Sequence, residues 1–387
     1  MDIRNLPAGL TTEGRCDERR TRIEQETGTD LSLLKTDAAH IGQADEKNCE
    51  QMLGTVPLPV GYAGPMTVTF SSGERHDIHL PLATTEAALV ASVNRGCKAI
   101  STSADGVQVT SVHHGVSRSL VLKPRSQKER SYTMEIEKNT DMWKNIGEAT
   151  SDHLKIMKHE IDEADGFTFL TIFCDTDEAM GMNMVTIAAQ AIGDWLAQEL
   201  DAELITIAGN VDSDKKPSKR THDRGRGYEV TASAMIPSSV ITDVLKTTPE
   251  AMLAVADAKL RIGSKLAGAI GANLHAANII AALYLATGQD AAHVAEGSLA
   301  DTMVIKEKDG IRVTVRLPAI LVGVRGGGTG LPAQSQCLDL LLKAKTKLHR
   351  KQQLAESIGA AVLAGELSLL AAQASQTLAT AHRKLAR

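Results

Sequence analysis

Aromatic side chains are scarce: Phe, Trp and Tyr make up 3% of 387 residues. A nucleic-acid binder needs stacking platforms and basic surface. With so few rings and a formal net charge of −5, nucleic acid is excluded as the expected partner, although a local basic pocket for an anionic ligand is not. Core bulk must come from Ala, Leu, Ile, Val and Met. Cysteine is also sparse. Cys16, Cys49, Cys97, Cys174 and Cys337 are scattered, odd in number and form no CxxC pair, which excludes a disulfide framework and fits free thiols in a reducing compartment. The 12 histidines form no His/Cys pattern with zinc spacing; His76/His79 and His113-His114 come nearest, and no metal is expected. Long apolar runs are missing too. Ala267 to Thr287 is interrupted by Asn273, His275 and Asn278, and its apolar part falls short of the ~20 residues a bilayer requires. The opening MDIRNLPAGL has no signal-peptide core. The expectation is a cytoplasmic protein without a membrane span.

What is present is an ordinary folding composition, 43% hydrophobic and 23% charged, over a length that suggests two or three domains. Residues 1–46 are polar and charge-rich, with Arg15 to Glu26 helical, and read as an N-terminal helical arm. Gly and Pro crowd residues 54–65, which must be extended. Strands are expected at Thr67–Phe70 and His76–Leu80. Leu89, Val93 and Cys97 recur at helical spacing, so Leu82–Ile100 reads as a helix, with Thr84 or Thr85 as its N-cap. Further on come strands Leu120–Leu122 and Tyr132–Ile136, helix Met142–Glu163, strand Phe167–Cys174, helix Ala179–Leu200 and strand Glu203–Ile207. This alternation predicts an α+β chain: a small ferredoxin-like domain, residues 120–207, inserted into a large helix-rich domain of residues 47–119 and 208–387. The large domain is expected to be built around a long central helix, and Asp257–Thr287 reads as one long small-residue helix or two in line.

Several short motifs offer chemistry. The glycine run from Gly323 to Gly330 lacks the dinucleotide fingerprint but leaves backbone N–H groups free to meet a phosphate or carboxamide. EAMGMNM, from Glu178 to Met184, follows a strand and opens a helix, with Gly181 clearing space for a flat ligand and Asn183 offering donor and acceptor. DSDKKPS, from Asp212 to Ser218, sets two lysines beside two aspartates, and a lysine in a cleft stabilises a developing oxyanion. Glu86 reads equally as a first-turn helix acid, Asp290 as an N-cap and His382 as a terminal histidine. Cys97 is the one thiol placed to act as an acyl-transfer nucleophile.

In their order along the chain, PLATTEAALVASVNRGCKA, EAMGMNM, GNVDSDKKPS, LHAANIIAALYLATGQDAA, VGVRGGGTG and AGELSLLAA resemble the signatures of the 3-hydroxy-3-methylglutaryl-CoA reductases, class I type, from about Glu50 to His382. The resemblance implies an NADPH-dependent reduction of 3-hydroxy-3-methylglutaryl-CoA to mevalonate and CoA, in two hydride transfers. It implies that Lys215 stabilises the oxyanion, Glu86 supplies a proton at the aldehyde stage, Asp290 links the two, and His382 protonates the leaving thiolate. Arg118, Lys216, Lys259 and Asn278 match positions that hold the acyl group. Ser92, Asn94, Arg95 and Lys98 match the CoA-contacting helix. Glu178, Met182, Asn183, Gly327, Gly328 and Thr329 match cofactor-contacting positions, Glu178 standing where the usual motif has Asp. Ala208 replaces the usual serine of SGN, and Glu50-Gln51-Met52-Leu53-Gly54 departs from the usual ENxxG. The resemblance further implies a homodimer or homotetramer with the active site at the subunit interface, the DKKP loop and the GQD region meeting across it. The serine that animal members carry six residues after the histidine has no counterpart before Arg387.

Overall fold

The structure, a computed structural model, describes residue 3 and residues 5–376 apart from 29, 36 and 126–130. Nine strands are present among them: β1 Val60–Thr69, β2 Arg75–Ala83, β3 Val107–Pro124, β4 Lys155–Ala164, β5 Phe167–Asp175, β6 Ala202–Thr206, β7 Gly227–Ile236, β8 Asp301–Glu307 and β9 Gly310–Ile320. The larger array runs β2-β1-β3-β7-β9-β8 and is antiparallel except for the short β1–β3 pairing.

The strand β3 serves two arrays. Its first half pairs with β7, and the ladder shifts register between His113 and Gly115. From Val116 onward it pairs with β5, and near its end with β6, while β4 closes the far edge of β5. The smaller array is therefore β4-β5-β3-β6, antiparallel throughout, with the helices Tyr132–Lys138, Thr140–Glu148 and Met182–Glu199 in its connections. Each array has its own apolar core. Trp143, Leu170, Ile172, Val185 and Ile192 belong to the small one. Val93, Val230, Val315, Ile358 and Leu363 belong to the large one, and Cys16, Ile41, Ala44 and Met52 form a separate N-terminal cluster.

The structure corrects four expectations from the sequence. Tyr132–Ile136 is helical, because Ser131 caps it by accepting from Met134 N–H, and Tyr132 and Ile136 then bury on one face. Met142–Glu163 is not one helix: the helix stops at Glu148, whose carboxylate accepts from Ile156 N–H, and Lys155–Ala164 is the half-exposed edge strand β4. Leu82 and Ala83 finish β2, and the helix Leu89–Thr102 starts after Ala88 in the left-handed region, so neither Thr84 nor Thr85 caps it. Asp257–Thr287 is broken. A π-helical stretch Asp257–Gly263 and a turn Ser264–Ala267 end at left-handed Gly268, and a new helix begins at Ala276.

The long central helix is instead Arg350–Ala374, buried along most of its 25 residues. By length and composition it could cross a membrane, but 94% of its apolar window is packed inside the fold, which marks it as the core helix. The sequence reads as apolar helices from the glycine run to the end, and Lys351, Glu356 and Glu366 are buried within this one. Each of these buried charges has protein partners; Glu356, for example, accepts from Ser71 and Ser111.

Candidate active site

A cleft of about 860 Å³ is lined by Met180–Met184, by Gly288–Asp290, by Arg325–Thr329 and by Lys215. Three of the sequence motifs thus converge with the DKKP lysine. Gly181 sits at φ +95°, and a Cβ there would fall 2.4 Å from the Thr176 side chain. Gly288, the left-handed cap of the Ala276–Thr287 helix, has room for no side chain: its Cβ would lie 2.2 Å from the Gly328 carbonyl oxygen. The helix end and the glycine run therefore meet backbone to backbone. Gln289 Oε1 accepts from Gly323 N–H at 2.9 Å, and Val324 N–H donates to the Glu178 carbonyl at 2.8 Å, stitching the run to both neighbouring motifs. Met182, Asn183, Gly327, Gly328 and Thr329 line the cleft. Glu178 does not; its carboxylate lies 3.8 Å from Arg325 Nε.

Lys215 is held in the left-handed region, φ +58°, and its Nζ lies 2.6 Å from Asp290 Oδ2. Asp290 is also the N-cap of the turn Ala291–His293, accepting from Ala292 N–H at 3.0 Å. Burial pushes the Asp290 carboxyl up, but the Lys215 ammonium, the Ala292 N–H and His293 outweigh it and hold it below its ordinary value. The expectation that the DKKP loop and the GQD region meet across a dimer is thereby corrected: the two meet within one chain, because the turn after Asn210 carries Lys215 directly onto the end of the Ala276–Thr287 helix.

Behind this pair lies a buried polar ring. The fully buried Arg226 donates through Nη1 to both Glu296 oxygens at 2.8 and 2.7 Å, and through Nη2 to Asp214 Oδ1 at 3.0 Å. His293 Nδ1 contacts Glu296 Oε1, and His293 Nε2 lies 3.8 Å from Asp290 Oδ2. Asp214 precedes Lys215, so the ring closes. Asp214, His293 and Glu296 bring ligand-type atoms within 4.8 Å of one another, and both carboxylates among them accept from the Arg226 guanidinium. Sequence reasoning missed Arg226, His293 and Glu296; the i,i+3 spacing of Asp290, His293 and Glu296 was the available signal.

Arg118 joins from β3. Its Nε and Nη2 donate to Thr186 Oγ1 at 3.1 and 2.9 Å, and its Nη1 lies 3.4 Å from Asp214 and 3.6 Å from Asp212. Burial holds the Asp212 carboxyl above its ordinary value despite Arg226 and Arg118. Lys216 Nζ donates to the Asp214 carbonyl at 3.0 Å. Lys259 is half-buried on the π-helical stretch, and Asn278 sits in the first turn of Ala276–Thr287.

Other expected site residues lie apart. Glu86 is exposed in the loop before the Leu89–Thr102 helix, where its N–H donates to Thr84 Oγ1, and it does not line the cleft. Ser92 and Arg95 turn toward the core helix and meet Ser368, Arg95 Nη2 donating to the Ser368 carbonyl at 2.6 Å. Asn94 accepts from Gly64 N–H, and Lys98 is exposed. His382 lies outside the described residues. Cys97 is fully buried, and burial pushes its thiol up to about 12, which removes it as an acyl-transfer nucleophile.

Known proteins resemble this chain over most of its length. The family model described as hydroxymethylglutaryl-coenzyme A reductase matches residues 15–387. A 3-hydroxy-3-methylglutaryl-coenzyme A reductase of Methanothermobacter thermautotrophicus is 41% identical over 374 residues, covering 95% of this chain and 92% of the relative. One from Haloferax volcanii is 37% identical over 396 residues, covering 100% and 96%. Among solved structures, the class II enzyme of Streptococcus pneumoniae bound to NADPH superposes with a TM-score of 0.70 at 19% identity, covering 92% of this chain and 96% of that one, a likeness of fold. A match over nearly the whole length means that this chain belongs to the hydroxymethylglutaryl-coenzyme A reductase family.

Proposed function

We propose that the Lys215–Asp290 pair is the catalytic centre for the reaction of this family, the NADPH-dependent reduction of 3-hydroxy-3-methylglutaryl-CoA to mevalonate and CoA. The observation that carries this reading is the 2.6 Å contact between Lys215 and Asp290 on the wall of the glycine-lined cleft. The chain is an oxidoreductase of the mevalonate pathway.

The cleft suits a nicotinamide dinucleotide on its own features. Gly181 and Gly288 leave backbone exposed where a Cβ would intrude, and Asn183 and the glycine run add polar groups along the wall. NADPH, when bound, supplies the two hydrides. Met182, Asn183, Gly327, Gly328 and Thr329 would hold it, and Glu178 would act only through Arg325. Lys215 stabilises negative charge as it grows on the substrate carbonyl oxygen. Asp290 aims the ammonium. Arg118, Lys216, Lys259 and Asn278 bind the carboxylate-bearing acyl group, and Lys98, Asn94, Arg95 and Ser92 bind CoA. Glu86 gives a proton at the aldehyde stage and His382 gives one to the CoA thiolate.

Glu86 stands exposed outside the cleft, which supports a site completed by a second copy of the chain, in a homodimer or homotetramer. The small array has the order β4-β5-β3-β6 with helices after β3 and β5, and we read residues 120–207 as a ferredoxin-like cofactor domain, 47–119 and 208–387 as the substrate domain, and 1–46 as an arm. A cytoplasmic location belongs to the same reading. The test is loss of NADPH absorbance with 3-hydroxy-3-methylglutaryl-CoA. Two NADPH consumed per mevalonate and CoA are expected; no turnover in the purified wild-type chain would overturn the reading.

A further inference from the structure

We propose that His293 is a positioning residue for the catalytic pair, holding Asp290 from behind through Nε2 so that Lys215 can shift toward the substrate. This rests on the catalytic reading of Lys215 and Asp290 given above. His293 is fully buried. Its Nδ1 is engaged by Glu296, which is itself fixed by both bonds from Arg226 Nη1. Its Nε2 is buried with no hydrogen-bond partner and lies 3.8 Å from Asp290 Oδ2. A buried polar atom left unpaired is unfavourable, and a small rotation of the Asp290 carboxylate brings it into range.

The charges around the ring say which form of the imidazole fits. The groups facing His293 are Asp290 and Glu296 on its own segment, Asp214 and Lys215 on the loop after Asn210, and Arg226 at the start of β7. Tyr284 on the neighbouring helix, within reach of the charges of Glu296 and Asp290, is buried and uncharged, burial pushing its hydroxyl well above its ordinary value. Three carboxylates thus face two permanent cations. A ring with its proton on Nε2 presents a donor to Asp290. A neutral ring whose Nδ1–H is donated to Glu296 presents only a lone pair to a carboxylate.

The consequence for the reaction is a division of labour. Asp290 bound by Lys215 alone would follow the ammonium or restrain it. Asp290 bound also by His293 stays in place when the ammonium moves onto a developing oxyanion, in both reductive steps.

The test is kcat in three single variants and one double variant of the full chain. His293→Leu removes the donor and is expected to lower kcat by about tenfold or more, as for one lost hydrogen bond to a charged group, with KM for both substrates nearly unchanged. His293→Gln keeps a donor. It should retain more kcat than the Leu variant. In an Asp290→Asn background, His293→Gln should add little further loss. If the Leu variant does not fold, the Gln variant decides alone. A Gln variant whose loss adds in full to that of Asp290→Asn overturns this inference and leaves the catalytic reading standing. An Asp290→Asn variant with wild-type kcat overturns both.

Discussion

Lys215 Nζ and Asp290 Oδ2 are 2.6 Å apart, and both residues are set by local backbone geometry before any ligand arrives. Lys215 occupies the left-handed region at φ +58°, and Asp290 caps the turn that follows the Ala276–Thr287 helix. The pair is half-exposed, with side chains 40% and 34% accessible, so its contribution to folding is small, and its value lies in aiming one ammonium into the cleft.

Asp290→Asn should lower kcat for both reductive steps while leaving the melting temperature close to wild type. Because the Asp290 carboxyl is held below its ordinary value by Lys215, the Ala292 N–H and His293, the ion pair is fully formed above the ordinary carboxylate range near pH ~3.9. Its contribution is lost only as the pH falls through the lowered value. Rate measurements from neutral to mildly acidic pH should show no loss assignable to Asp290; a loss at mildly acidic pH that disappears in the Asn variant would contradict the assignment.

Arg226→Met should destabilise the chain strongly. It removes the guanidinium that donates to both oxygens of the buried Glu296 and one of the two that face Asp214, and breaking a buried pair from one side costs about 3–5 kcal/mol. Chemical denaturation reads this directly, and a Glu296→Leu, Arg226→Met double variant should recover part of the loss.

Glu366→Ala should loosen the start of the Ala276–Thr287 helix. Glu366 is fully buried and accepts from Leu274 N–H, His275 N–H and Thr302 Oγ1, each at 2.7 Å. Each orphaned buried donor costs about 1–3 kcal/mol. Amide exchange should speed up at Leu274 and His275, where unchanged protection would refute this role.

Gly181→Ala should weaken NADPH binding. The position is left-handed at φ +95° and its Cβ would come 2.4 Å from Thr176, so the turn opening the Met182–Glu199 helix must move. The strain, about 1–3 kcal/mol, should appear as a raised KM for NADPH at little change in KM for the CoA thioester.

Much of the site was legible because its chemistry sits in short, contiguous strings. EAMGMNM, DKKP, GQD and the glycine run are weak singly and legible in their order along the chain, and the cleft brings them together. The buried ring was not legible. Arg226 and Glu296 are 70 residues apart, and nothing local marks an Arg that donates to two carboxylates inside a core. The fold shows the same division. The Phe167–Asp175 strand and the Met182–Glu199 helix follow from their own periodicity. The edge strand β4 has no clean alternation, since its ladder to β5 shifts register between Ile156 and Lys158, and its pattern reads as helix. The break before Ala276 depends on Glu366, a residue far along the chain, taking the N–H groups that a continuous helix would have used.

The central claim is that one lysine serves both hydride steps. The most direct measurement is NADPH oxidation by Lys215→Ala with 3-hydroxy-3-methylglutaryl-CoA and, separately, with mevaldehyde. Loss of one oxyanion donor costs about 10²–10³ in kcat, and the account predicts at least that loss on both substrates, with NADPH binding retained. Mevaldehyde reduction at the wild-type rate would contradict it.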